Sequence, residues 1–276
     1  MKICVLSRDA TYGNGAVVAE GLKHFADVTT IFGRTDLKDM YRQTNAKIGI
    51  PIPKCDHYVI VGAISLESFP RKFYDRGVTI ILTDTTFLKN PAKYNRIISE
   101  NKWNVFAMPD LAPLNGTKNI FYQPFILPEV NKEKTKVVCH SPFHISKEKE
   151  KNTAFITNIC VRNNIQLTIV KNVTWLKTIE IKAQHSIVID KIPQGVGKSG
   201  LEAMLLDCAV LSGIKPQGEY LPPIKWTDKE NLEKDLLGLL ADPHVMKLLI
   251  EGQREWAEIN LKPNFVAERI MKKICR

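Results

Sequence analysis

The stretch Gln194-Gly195-Val196-Gly197-Lys198-Ser199-Gly200-Leu201-Glu202-Ala203-Met204 carries the residue types best suited to chemistry in this chain. A glycine-rich turn runs into an apolar helix with one carboxylate in its first turns. The first N–H groups of a helix lack intrahelical acceptors and carry the positive end of the helix dipole. Such a helix start holds phosphate well. The Glu202 carboxylate, one or two turns in, is placed to accept a pair of sugar hydroxyls from the same ligand. A nucleoside diphosphate fits, with phosphates at Gly197, Lys198, Ser199 and Gly200 and ribose at Glu202.

Other readings of the stretch stay open. Gly197-Lys198-Ser199 ends like a P-loop, but Ile192 stands where the first glycine of that motif belongs. Gly195, Gly197 and Gly200 spell the dinucleotide fingerprint G-x-G-x-x-G. That fingerprint opens a nucleotide domain directly after its strand, whereas this one comes late and gives Glu202 no role. The plainest reading is an ordinary helix start in an α/β domain.

The elements that must position this turn alternate between strand-like and amphipathic runs, the pattern of parallel sheets covered by helices. In the first half, strands are predicted near Lys2–Ser7, Val28–Gly33, His57–Gly62, Val78–Thr83 and Val105–Ala107. Helices are predicted near Ala16–Phe25, Leu66–Tyr74 and Ala92–Ser99, and a last strand at Asn119–Tyr122 before a proline-flanked linker. In the second half, strands are predicted from Lys136, at Gln166–Val170, Ser186–Asp190 and Ala209–Gly213. Helices fall at Lys151–Asn163, Val173–Ala183 and Ser199–Asp207, and Lys229–Cys275 reads as helical with breaks at Pro243 and Pro263. The fold class is therefore α/β, with two Rossmann-like doubly wound domains and ligands at the C-terminal strand ends.

Composition bounds the function. The 276 residues suffice for two domains, and 44% hydrophobic with 25% charged residues describes a globular chain. No apolar run approaches the roughly 18 residues that span a membrane, and the N-terminus reads as a strand rather than a signal peptide. Six scattered cysteines without a Cys-x-x-Cys pair point to reduced thiols and a cytoplasmic setting. A net charge of +10 suits a polyanionic partner such as nucleic acid or an anionic lipid surface. The lysine-rich segment Lys132, Lys134, Lys136, Lys147, Lys149, Lys151 is interleaved with Glu133, Glu148 and Glu150 and also reads as solvated surface.

Gly200-Leu201-Glu202-Ala203-Met204 followed by Cys208-Ala209-Val210-Leu211-Ser212 resembles the donor-site helix and next strand of glycosyltransferases with the two-domain GT-B fold, above all the retaining ones. That family carries E-x7-E with its second acid in this helix. Here the first acid position holds Gln194, a departure from the retaining pattern. Val137-Val138-Cys139-His140-Ser141-Pro142 and Lys151-Asn152-Thr153 resemble the "His-x-Pro … Lys-Gly-Thr" opening of bacterial GT-B donor domains, where a basic pair binds the diphosphate. Lys151 matches the family lysine, and Lys147 or Lys149 stands in for the missing arginine as a point charge. The resemblance implies an acceptor-side domain over 1–128, a nucleotide-sugar domain over 129–262 and a final helix, 263–276, that crosses back to the first domain. It implies a donor-binding set of Gly13, Asn14, Gly15, His140, Lys147, Lys149, Lys151, Gln194, Gly197, Lys198, Ser199, Gly200, Leu201 and Glu202. Plainer roles are an ordinary βα turn at Tyr12-Gly13-Asn14-Gly15, a hydrogen-bonded packing histidine at His140 and an exposed lysine at Lys151.

Ile80-Ile81-Leu82-Thr83-Asp84 ends a strand on an aspartate and resembles the strand-end Thr-Asp of the β-glucosyltransferases of T-even phages. There the aspartate is the base of an inverting transfer. Asp84 is thus the candidate catalytic base, with a turn-capping role as the plainer alternative. The implied reaction moves glucose, arabinose or a similar sugar from a nucleoside diphosphate sugar, UDP-sugar by expectation, to a hydroxymethylated base in phage DNA. No metal is expected, and a monomer is favoured. Arg71, Lys72, Arg76, Lys89, Lys93 and Arg96 are the candidate DNA-phosphate contacts. The alternatives are a glycosyltransferase acting on lipid-linked sugar or lipopolysaccharide core, and a nucleotide- or nucleic-acid-binding protein without catalysis.

Overall fold

The computed structural model describes residues 1–7, 14–32, 47–48, 52–62, 69–83, 87, 90–109, 115–122, 124, 127–143, 152–192, 195–213, 215 and 220–275. The strands are β1 Lys2–Ser7, β2 Asp27–Phe32, β3 Lys47–Ile48, β4 His57–Val61, β5 Gly77–Leu82, β6 Asn104–Ala107, β7 Lys136–Phe143, β8 Leu167–Lys171, β9 His185–Ile189, β10 Ala209–Ser212 and β11 Lys225–Trp226. The α-helices are α1 Asn14–Leu22, α2 Pro91–Glu100, α3 Thr153–Arg162, α4 Trp175–Ala183, α5 Lys198–Leu205, α6 Leu232–Ala241, α7 Pro243–Asn260 and α8 Pro263–Ile274. The chain divides into two compact units. One comprises Met1–Phe125, Gln217–Glu219 and Asn260–Arg276, the other Ile126–Pro216 and Tyr220–Ile259.

The first unit holds a six-stranded sheet in the order β3-β2-β1-β4-β5-β6, parallel at every pairing. This is the Rossmann order, with its switch point between β1 and β4. All five residues of β4 are buried, as are all but the first of β1 and β5. Strands covered on both faces need continuous apolar runs, which is why these three are plain in the sequence. β3 has only two residues and carries no periodic signal, so the sequence reading misses it. Asn119–Tyr122 does not form a full strand. Ile120 makes a single parallel bridge to Ala107 at the edge of β6. The helix expected over Leu66–Tyr74 is also corrected: its described part is a 3-10 turn, Arg71–Phe73, entered from an extended Pro70 with ψ 131°. Proline has no N–H to donate, so a helix does not run through it.

The second unit holds a five-stranded parallel sheet, β11-β10-β9-β7-β8. Renumbered along the chain this is the flavodoxin-like order, with the switch point between β7 and β9. The crossovers through α4 and α5 run in the same direction across the sheet, so right-handedness puts both helices on one face with their N-termini at the C-terminal strand ends. Their opposite ends share one cation. Lys134 Nζ donates to Ala183 O at 2.9 Å, at the last residue of α4, and to Leu206 O at 2.6 Å, just past α5. Lys134 is thus a helix-end cap rather than a solvated surface charge. On the other face Ile156, Ile159 and Cys160 of α3 and Leu232, Leu236 and Leu239 of α6 pack with Val138, Ile187 and Leu211 of the sheet.

Helix α8 belongs to the first unit and packs on α1, burying Val266, Ala267 and Ile270. The approach is close because Gly21 has no side chain. A Cβ there would collide with the Pro263 carbonyl and stand 3.0 Å from Ala267 Cβ. Arg269 donates to Ile120 O at 3.3 Å and Asn104 Nδ2 to Lys273 O at 3.1 Å, so α8 also closes the sheet edge. Among the described residues no helix is long and apolar enough to cross a membrane. Cys4, Cys55, Cys139, Cys160 and Cys208 are buried thiols and Cys275 is exposed.

Two predictions follow from packing and burial. Gly21→Val must push α8 off α1 and is expected to cost roughly 2 kcal/mol, read as a lower urea midpoint. His57, buried at the start of β4 beside Gly77, bonds Thr79 Oγ1 through Nε2 at 2.9 Å. Burial lowers its pKa from 6.5 to about 4. The folded state therefore holds this ring neutral while the unfolded chain protonates it. Its contribution is full above pH 6.5 and is lost progressively as pH falls towards 4, about 3 kcal/mol in all. Unfolding measured at pH 7 and pH 4.5 should show this loss, and His57→Gln should flatten it.

Candidate functional site

The glycine turn lies where the second sheet opens. Asp190, one residue past β9, is fully buried, and its Oδ2 accepts the Gly197 N–H at 2.6 Å. Backbone bonds tie the same corner to β10: Asp190 N to Leu211 O at 2.9 Å and Gly213 N to Lys191 O at 2.7 Å. Ile192 and Val196 have no exposed surface and anchor the loop in the core. Gly197 is extended and forms the N-cap of α5 with no side-chain cap. The N–H groups of Lys198, Ser199 and Gly200 open the helix, where intrahelical acceptors are lacking. The Ser199 hydroxyl is buried without a partner among the described residues.

Gly200 is required by close approach. A Cβ on Gly200 would stand 2.7 Å from Val196 Cγ2 and 3.0 Å from Asp190 Oδ2. One on Gly197 would meet Lys191 Cε at 2.8 Å and Nζ at 3.1 Å. The Lys191 ammonium thus stands over the first turn of α5, beside the helix start. The sequence reading did not single out Asp190 or Lys191. Their signal was a charged pair at a strand end just before a glycine turn.

Glu202 is 2% exposed. The sequence reading has its carboxylate open to a sugar hydroxyl pair. In the structure both oxygens are already engaged: Trp175 Nε1 donates to Oε1 at 2.7 Å and Lys182 Nζ to Oε2 at 2.7 Å. Lys198 Nζ lies 3.8 Å from Oε1 and 5.6 Å from the centre of the Trp175 ring. Burial pushes the Glu202 carboxyl up, but Lys182, Lys198 and the two hydrogen bonds outweigh it and hold the pKa below its ordinary value. Burial lowers the pKa of Lys198, reinforced by Lys182 and opposed by Glu202. Two lysines thus approach one carboxylate near the helix start. Trp175 and Lys182 had no sequence signal, because their meeting with Glu202 is a contact between helices.

His140 is fully buried near the end of β7. Its Nδ1 lies 2.8 Å from Ile189 O and its Nε2 3.0 Å from Thr153 Oγ1. A carbonyl only accepts, so Nδ1 carries the proton and the Thr153 hydroxyl donates to Nε2. The ring joins β7, β9 and the start of α3. Asn152 precedes α3 at φ 57°, ψ 38°. That left-handed conformation favours glycine, the residue the resembled Lys-Gly-Thr motif has at this place, and asparagine tolerates it best after glycine. Its amide donates to Ile192 O, linking α3 to the loop after β9.

Gly15 is buried in the first turn of α1 and Leu201 in that of α5, while of Asn14 only the backbone is described. Asp84, Gly13, Lys89, Lys147, Lys149, Lys151 and Gln194 lie outside the described residues. Five of the six candidate DNA contacts lie among the described residues. Arg71, Lys72 and Arg76 precede β5, whereas Lys93, in the first turn of α2, follows it. Six strand residues, roughly 20 Å, separate these two ends. Lys72 and Lys93 lie over the rings of Phe73 and Tyr94, and Arg96 sits 3.9 Å from Glu100.

The chain has the GT-B fold, as comparison with solved structures establishes. Anabaena HepE in complex with UDP matches over 100% of both chains at 12% identity and a TM-score of 0.62. The DNA-modifying enzyme β-glucosyltransferase, solved with and without its substrate uridine diphosphoglucose, matches over 99% of both at 10% identity and 0.58. UDP-GlcNAc 2-epimerase from Neisseria meningitidis, bound to UDP-GlcNAc, matches over 99% of this chain and 100% of its own at 12% identity and 0.57. No protein-family model and no curated protein matches the sequence.

The Lys182–Glu202 pair sets a measurable expectation. Glu202→Ala strands a buried ammonium and should cost roughly 3–5 kcal/mol of unfolding free energy. Lys182→Met combined with Glu202→Leu removes both charges and should recover most of that loss in the same denaturation experiment.

Proposed function

We propose that this chain is a glycosyltransferase that moves a sugar from a UDP-sugar to a hydroxymethylated base in duplex DNA. The observation that carries the donor half is the start of α5: the Gly197–Gly200 turn, with Lys191 and Lys198 beside it, at the C-terminal edge of a parallel sheet next to its switch point. Amides and ammonium groups fixed there suit a diphosphate and stabilise it as a leaving group. The uridine nucleotides of the three similar structures favour a UDP-sugar donor.

An acceptor hydroxyl attacks well only as its proton leaves, and Asp84, just past the end of β5, is the group assigned to take it. The DNA acceptor is supported by the fold-wide likeness to the DNA-modifying β-glucosyltransferase and by the net charge of +10. A base inside a duplex must be turned out of the stack before its substituent can react.

The test incubates the protein with UDP-sugars and duplex DNA containing 5-hydroxymethylcytosine, then digests the DNA and weighs the nucleosides. An added hexose or pentose mass is expected, with Asp84→Asn lowering the rate roughly 10²–10⁴-fold and chelator leaving it unchanged. An unmodified nucleoside with UDP-sugar bound would move the acceptor to a surface glycan or lipid-linked sugar, or leave a binding protein without turnover. Activity lost to chelator and restored by manganese would defeat the metal-free mechanism.

A further inference from the structure

Asp190 is a fully buried carboxylate at the turn that opens α5. The Gly197 N-cap brings no side-chain cap, and Asp190 Oδ2 accepts the Gly197 N–H at 2.6 Å. A Cβ on Gly200 would stand 3.0 Å from the same oxygen, so the carboxylate lies against the first turn of the helix. The backbone on either side of it is held, Ile189 O by His140 and Lys191 O by Gly213 N. A Cβ on Gly197 would stand 3.1 Å from Lys191 Nζ and 3.4 Å from Asp190 Oδ2, so an ammonium and a carboxylate border one point beside the turn. A carboxylate here has two opposite effects. It stabilises the helix by answering its dipole and an open N–H. It also weakens the helix start as an anion site, because one donor is taken and a negative charge stands within about 5 Å, one helix turn, of the donors that remain. At that separation in a partly buried site the repulsion is not screened away. Capping alone needs no charge, since an amide or hydroxyl oxygen accepts such an N–H as well.

We propose that Asp190 is a specificity-determining residue of the donor site: its charge holds down the affinity of the α5 turn for a free diphosphate, so that the UDP product leaves more readily than an uncharged acceptor at this place would allow. This rests on the nucleotide-sugar reading of the α5 turn. Charge makes the effect selective. Free UDP has one more ionisable oxygen than the same diphosphate esterified to a sugar, and so about one more negative charge at neutral pH. The repulsion therefore falls more heavily on product than on donor. Asparagine at 190 keeps an acceptor for the Gly197 N–H and removes the charge that opposes the Lys191 ammonium.

The experiment measures dissociation constants of UDP and uridine for the wild-type protein and Asp190→Asn, UDP by calorimetry and uridine by ligand-observed NMR. UDP is expected to bind the variant about tenfold more tightly, the scale of one unit-charge interaction in a partly screened site, chiefly through slower dissociation. Uridine, which has no phosphate, is expected to bind both proteins alike. Asp190→Ser, also neutral with an acceptor oxygen, is expected to give the same split and replaces Asp190→Asn should that variant not fold. UDP bound no more tightly by the neutral variants, or UDP and uridine changed by the same factor, would overturn the inference and leave Asp190 as a cap of α5. No UDP binding to the wild type would instead defeat the nucleotide-sugar reading on which it rests.

Discussion

The second unit turns on a carboxylate that has no access to water. Glu202 must find partners inside the protein, because an unpaired buried charge costs several kcal/mol. It finds them on the neighbouring helix, in Trp175 and Lys182, and so fixes how α4 and α5 lie against each other. Replacing the ion pair by apolar side chains of similar volume would be close to neutral for stability. The pair joins the last turn of α4 to α5. Lys198 approaches the same carboxylate as a second cation, 3.8 Å from Oε1.

The parallel sheet supplies the rest of that field. Both helices point their N-termini to the C-terminal strand edge, and Lys134 answers both dipoles at the far end. Asp190 answers the near end in part by accepting the Gly197 N–H. A buried carboxylate at a helix start lowers the local pull on an anion, while Lys191, whose ammonium stands over Gly197, restores it. The turn is therefore a balanced site rather than a bare helix end. Gly200 answers to Val196 and Asp190, which occupy the space its side chain would need.

The fold was legible where burial on both faces demanded it. β1, β4 and β5 are continuous apolar runs, and β8, β9 and β10 of the second sheet are read to within a residue of their ends. β3 and β11, two residues each at sheet edges, have no periodicity to read. The Leu66–Tyr74 reading failed at Pro70, where the missing N–H and an extended ψ limit the described chain to a 3-10 turn. Of the basic residues grouped by type in the first half, Arg71, Lys72 and Arg76 precede β5 and Lys93 stands in the first turn of the helix that follows it.

The sequence by itself determined the α/β class, the alternation that makes each sheet parallel, and the glycine turn with Glu202 one turn beyond it. These are properties of neighbours along the chain: a run of apolar residues, a helix start, a residue type at a short spacing. Only the tertiary structure decided what Glu202 touches, because Trp175 and Lys182 reach it across a helix pair and lie 27 and 20 residues away. It likewise decided that Asp190 underlies the turn and that Lys134 closes two helices. Those contacts depend on strand order and crossover hand, which bring distant segments together and leave no local pattern in the sequence.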